Sequence, residues 1–181
     1  LIIDNGYNKF GQIPMMSYNI LSYLIQNNED IWKILKYPSS DCLSQPNLTQ
    51  SEKGALIYSG EADSTPYRAF LDNFLDDAFV EQVSLLRIFP EIIIPTSRVL
   101  SSVTFHIQAF SHVKLQILDG YMNRNVYLMQ QILQTLNGMD ISGVGNLSFD
   151  RMGNPYDRAN LNISNSKSFS GYSIFMSTRT A

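Results

Sequence analysis

The chain has 181 residues with a net charge of −3, 44% apolar and only 16% charged residues, enough for one domain with a real core. A single cysteine, Cys42, excludes an intrachain disulfide and a cysteine-rich metal site, and agrees with a reducing compartment. No clustered Lys/Arg stripe of a strong nucleic-acid binder is present, nor an apolar run of membrane-spanning length, so a soluble protein is expected.

Serine and asparagine supply much of the polar surface. A weakly charged surface repels its neighbours little and suits a protein packed against other subunits, although a low-GC genome produces the same composition. Residues 1 to 95 hold 12 acids and 6 bases, whereas residues 96 to 181 hold 4 acids and 7 bases. Halves of opposite sign suit head-to-tail association. The opening "LIIDNGYNKF" has no basic leader followed by an apolar stretch, and a start at Leu1 without Met points to a processed or partly represented chain.

Gly6, Gly11 and Pro14 mark residues 1 to 16 as an extended arm. Apolar residues at helical spacing (Ile20, Leu21, Leu24, Ile25) and again after Asn28 (Ile31, Trp32, Ile34, Leu35) predict two short helices. A third is predicted near Gln50 to Tyr58, N-capped by Thr49 or Ser51 with Glu52 in its first turn. Residues 59 to 82 fit neither periodicity and contain six acids against one base, Arg68, which predicts a long ordered loop.

The second half is more regular. "VSLLRIFPEIIIP" (83 to 95) is β-rich but broken by Pro90 and Pro95, so an edge or bulged strand is expected. In "VLSSVTFHIQAFSH", Val103, Phe105, Ile107 and Ala109 alternate with Thr104, His106 and Gln108, the pattern of a half-buried strand with one polar face. Asn123 is the expected cap of a helix over 123 to 137, with Val126, Met129, Leu133 and Leu136 as its apolar stripe and Gly138 closing it. Strands follow at 144 to 150 and 168 to 178. The fold class is therefore α+β: a mostly antiparallel sheet with one helix packed across it, preceded by short helices and a long loop. The expected organisation is an arm (1–16), a helical region with the acidic loop (17–82), and an α+β core (83–181).

Chemistry finds little support. In "FLDNFLDDAF" (70 to 79), Asp76 and Asp77 are adjacent and point apart in an extended chain, and the spaced acidic loop of a hard-metal site is absent. A metal-dependent hydrolase using Asp72, Asp76 or Asp77 stays open as an alternative, as does a nucleic-acid-binding module. The favoured reading is a docking surface formed by Phe70, Phe74, Asp76, Asp77 and Phe79, because three phenylalanines are costly to leave in water. His106 and His112 lie about 20 Å apart along an extended chain, too far to share a metal. Cys42 sits in a Ser/Pro linker with nothing nearby to activate it. "GVG" at 143 to 145 lacks a following helix to hold a phosphate. No catalytic residue, metal or cofactor is expected.

The succession "SVTFHIQAFSH", "NRNVYLMQQILQTLNG", "VGNLSFD" and "GYSIFMSTR" resembles tail terminator and head-tail connector proteins of tailed bacteriophages. The helical region and "FLDDAFVEQVSLLRIFP" also resemble neck proteins of phages from low-GC hosts. The resemblance covers residues 83 to 179 in element order. It implies a small antiparallel sheet flanked by helices, copies closed into a homo-oligomeric ring in the virion neck, and neighbours among the portal, neck and tail proteins. Synthesis in the bacterial host cytoplasm, at most weak contact with channel DNA, and no membrane partner are also implied. The long N-terminal helical region departs from a typical terminator.

Overall fold

The computed structural model describes residues 12–61, 63, 65–72, 82–95, 101–150, 156–163 and 168–180. Among the described residues four α-helices and nine strands follow in chain order: α1 (Ile13–Asn27), α2 (Glu29–Lys36), α3 (Gln50–Ala55), β1 (Ala69–Phe70), β2 (Ser84–Pro95), β3 (Ser101–His112), β4 (Ile117–Leu118), β5 (Met122–Asn123), α4 (Arg124–Leu136), β6 (Met139–Ile141), β7 (Gly145–Ser148), β8 (Arg158–Ile163) and β9 (Phe169–Thr180). The main sheet runs β1-β2-β3-β9-β7-β6, with β8 also on β9. Only β1 and β2 pair in parallel; the other pairs are antiparallel, so the fold is α+β.

Local chemistry explains the helix ends. Asn28 breaks α1 from α2 by adopting extended backbone, and its side chain accepts the Ile31 N–H as the α2 cap. Thr49 and Glu52 form a reciprocal capping box on α3. Asn123 accepts the Val126 N–H at the start of α4, and Gly138 adopts positive φ just past its end.

The inward side chains of β3 (Val103, Phe105, Ile107, Ala109) lie in one continuous core with Trp32, Leu128, Ile132, Leu136, Ile174 and Met176, where α4 packs on β3 and β9 and α1 and α2 pack on β2. Sequence patterns change near residue 82, but this core takes side chains from both sides of that point. Burial of the large apolar side chains, each contributing about 1.5–3 kcal/mol, is what joins helices to sheet.

Several expectations are corrected. The first helix begins at Ile13, not Ser17, because Pro14 falls in the first turn, where a missing N–H costs nothing; residues 1–11 lie outside the described residues. The loop 59 to 82 contains an edge strand, β1, whose Ala69 and Phe70 pair with Leu86 and Arg87. The β2 register shifts between Pro90 and Ile92, as the prolines predicted, yet β1 lies outside part of that strand. On α4 the buried positions are Leu128, Ile132 and Leu136; Val126 is exposed, because the i, i+4 row rather than the 126/129/133 row faces the sheet. The polar face of β3 is not solvated: Thr104, His106, Gln108 and Phe110 are all buried.

Candidate assembly surfaces

Phe70, the one described member of the predicted docking set, is only 6% exposed. It belongs to a second apolar cluster on the outer sheet face with Val83, Leu85, Phe110 and Phe169, and its ring centroid lies 5.4 Å from that of Tyr58. Outer-face parity places it there: Phe70 pairs with Arg87, two residues from Leu85, which opposes Phe110. Phe74, Asp76, Asp77 and Phe79 lie outside the described residues. Asp72 sits at the rim of the outer face, where Arg87 donates to its carbonyl at 3.1 Å and approaches its carboxylate at 4.0 Å.

The rest of the outer face is a row of aromatic and polar side chains crossing four strands, buried at His106 and Phe175 and open to solvent at Arg158. Phe89, His106, Phe175 and Arg158 are successive cross-strand partners on β2, β3, β9 and β8. The His106 ring stacks on Phe175 at 4.3 Å and lies 4.9 Å from Phe89. The two outer rings carry guanidinium groups, Arg158 at 4.5 Å from Phe175 and Arg87 at 5.3 Å from Phe89. Arg87 also donates to Gln108 Oε1 at 2.5 Å.

His106 Nδ1 lies 2.5 Å from Glu91 Oε2, which puts the proton of the neutral ring on Nδ1. Nε2 is buried and finds no hydrogen-bond partner among the described residues. Burial pushes the His106 pKa down; Glu91 opposes that, and Arg87 and Arg158 add to it. His112, on the same face, does not join this group. Its Nδ1 accepts the Lys114 N–H, and its ring meets Phe169 edge-on.

A second polar chain anchors the end of the face. Thr104 and Ser177 share a hydrogen bond of 3.0 Å, Ser177 Oγ donates to Asp157 Oδ1 at 2.5 Å, and Asp157 Oδ2 accepts the Asp150 N–H. Burial raises the Asp157 pKa, while its two donors pull the other way. These networks hold strands in register.

Cys42 is fully buried, and burial pushes its thiol pKa up. Neighbouring Arg124, also fully buried, donates to the carbonyls of Ile34, Tyr37 and Ser39, closing the C-terminal end of α2. Among the described residues no three His, Cys, Asp or Glu side chains come together in a metal-holding group, and no helix is long and apolar enough to cross a membrane.

One stretch of exposed apolar residues lies elsewhere. Between β3 and α4 the chain makes a small hairpin, with Leu118 paired to Met122 and Ile117 to Asn123. Its base is tied down, the Gln116 amide donating to the Ser111 and His112 carbonyls while accepting from Asn125, and the first residue of its turn, Asp119, donates its N–H to Ser40 O. Its tip projects. Tyr121 is 96% exposed and adopts φ 62°, a left-handed conformation unfavourable for a bulky side chain. Val113, Ile117, Met122 and Val126 are exposed within the same stretch. The turn was legible in Asp119-Gly120. The exposure of its neighbours was not, since apolar residues near a turn read equally well as core.

Neither curated proteins nor solved structures show a match to the chain. A family model matches over residues 28–178, from the α2 cap to within two residues of the end of β9, leaving α1 and the termini outside it. The chain therefore belongs to the YomW family, a phage-gene-derived family from the yom region of Bacillus phage SPbeta.

Proposed function

We propose that this protein is a structural component of a tailed-phage virion, a ring in the neck that joins head to tail around the DNA channel. Membership of a phage-derived family supports the setting. The single structural observation that carries an assembly role is the projecting hairpin. Its base is hydrogen-bonded into the fold, yet its tip holds Tyr121 almost wholly in water and in a costly backbone conformation. Such strain persists where the surrounding structure imposes it, and it clusters at functional contacts. Adjacent neck, portal or tail proteins and further copies of the chain are the partners; channel DNA is touched weakly and without sequence preference.

The alternative of a hydrolase built on the 72–77 carboxylates is disfavoured by the setting of Asp72, whose carboxylate lies 4.0 Å from the Arg87 cation, a competitor for any metal ion. Electron microscopy of the purified protein tests the proposal: closed rings are expected, and a protein that never forms rings at high concentration or with neck and tail extracts sinks it.

A further inference from the structure

The sequence holds two Asn-Gly pairs, at residues 5–6 and 137–138, and the second lies within the described residues. Asparagine is thermolabile, and a following glycine leaves the next backbone nitrogen without a flanking side chain, so Asn-Gly is the pair most open to loss of the side-chain amide.

Both residues have structural reasons to stand where they do. Gly138 adopts φ 78°, which closes α4 as the residue just past its cap and would strain any side chain. Asn137 is the α4 C-cap: its N–H donates to the Leu133 carbonyl, and its Oδ1 accepts the Phe149 N–H at 2.8 Å. The fold thus keeps a labile pair at an exposed junction.

The same junction holds the reaction off. The Gly138 N–H, whose nitrogen is the nucleophile, donates to the Leu147 carbonyl at 2.8 Å, and Asn146 Nδ2 donates to the Gly138 carbonyl at 3.0 Å. Ring closure needs the Gly138 nitrogen turned toward the Asn137 Cβ, at negative ψ. Asn137 has ψ 123°, so that nitrogen faces away from the side-chain carbon.

We infer that Asn137 is a site of spontaneous deamidation gated by the β6–β7 pair: the end of that pair at Gly138 and Leu147 must open before the residue reacts. In the opened chain the Gly138 nitrogen bonds to Asn137 Cγ and gives up its proton, the Cγ–Nδ2 bond breaks, and ammonia leaves carrying a proton. Water then adds to one of the two carbonyls of the succinimide ring, giving an aspartyl or an isoaspartyl residue according to which C–N bond it cleaves. The isoaspartyl linkage adds one carbon to the backbone between the α4 cap and Gly138. Contacts with Leu147 and Phe149 then cannot re-form in place, and a transient opening leaves a permanent mark. The site needs neither the Tyr121 hairpin nor a ring.

The test uses the whole chain, aged at mildly alkaline pH both folded and in urea, with peptide mapping by mass spectrometry to separate residue 137 from the pair at 5–6. Deamidation at Asn137 should proceed in urea and be slower by at least about tenfold in the folded chain, the ratio being set by the free energy of local opening. Hydrogen exchange gives an independent measure, because the Gly138 N–H must leave Leu147 in both processes; its protection should not exceed the slowing of deamidation. Asn146→Ala removes the bond to the Gly138 carbonyl and should speed exchange and deamidation together. A folded chain that deamidates at Asn137 as fast as in urea, an unfolded chain in which this residue stays intact, or an Asn146→Ala variant in which one rate rises without the other overturns the inference.

Discussion

Lys53 on α3 and Glu29 on α2 form an ion pair of 2.6 Å that closes the helical side of the molecule around a nearly buried ammonium. The same Nζ donates to the Ile25 carbonyl in the last turns of α1, and the same carboxylate accepts the Leu48 N–H. One pair thus holds α1, α2, α3 and the connector before α3. Replacing Lys53 with Met leaves Glu29 without its cation and should lower unfolding free energy by about 3 kcal/mol, measured by urea denaturation. Although burial raises the Glu29 pKa, the Lys53 and Leu48 contacts outweigh it and hold the group below the usual value. Its contribution is therefore present above the unfolded carboxylate pKa and is lost as pH falls through the lower folded one.

The histidines predict a second pH dependence, in a higher window. Burial lowers the pKa of both His106 and His112, so the unfolded chain takes up protons near pH 6.5 before the folded one does. Stability should be level above that value and decline as pH drops below it. His106→Gln should flatten the decline between about pH 7 and 5, with the remainder belonging to His112. Denaturation midpoints across that range decide the matter; an unchanged slope would mean that His106 takes up its proton equally in both states.

Gly171 has an exacting role in β9. A Cβ there would lie 1.8 Å from the Ala109 carbonyl oxygen and 2.7 Å from the Phe110 Cα. Both are backbone atoms of the neighbouring strand, so no side chain can move aside. Gly171→Ala should cost about 3 kcal/mol or prevent folding, the upper end of overpacking effects. Gly54→Ala, where nothing lies within 4 Å and the residue is helical, should be neutral or stabilising by a few tenths of a kcal/mol. Paired melting curves of the two variants test the contrast.

Tyr121 predicts effects of opposite sign on the monomer and the assembly. Tyr121→Gly removes a left-handed tyrosine and should stabilise the isolated chain by about 1 kcal/mol. If the tip docks onto a neighbour, the same change should reduce the yield of assembled rings. A variant that is less stable, or more stable with undiminished assembly, would remove the hairpin from the interface.

Arg124→Met tests the closure of α2. Arg124 is fully buried and serves three carbonyls from Ile34 to Ser39, so its loss leaves acceptors unmet. A cost of about 3 kcal/mol is expected in thermal or chemical unfolding. Because the Arg124 guanidinium lowers the pKa of the adjoining Cys42 thiol, its loss should raise that pKa and slow the reaction of the folded variant with a thiol reagent.

Much of the architecture was legible in local chemistry. Asn28, Thr49 and Asn123 mark helix starts because a capping side chain acts within three residues, and the alternation along 103 to 109 marks β3 because strand parity is local. The prolines of β2 announce its register shift for the same reason. What lies beyond that range was decided by tertiary structure. The polar side of β3 reads as a solvent face until Phe89, Phe175, Arg87 and Arg158 arrive from other strands to bury it. Phe70 reads as an exposed docking residue until β1 pairs beside β2 and sets it on Leu85 and Phe110. β8 goes unread because "RANLNI" has weak strand propensity and depends on the β9 ladder for its conformation. Periodicity reports which residues share a face; what covers that face is a matter of long-range packing, and here that packing determined which apolar side chains were left exposed.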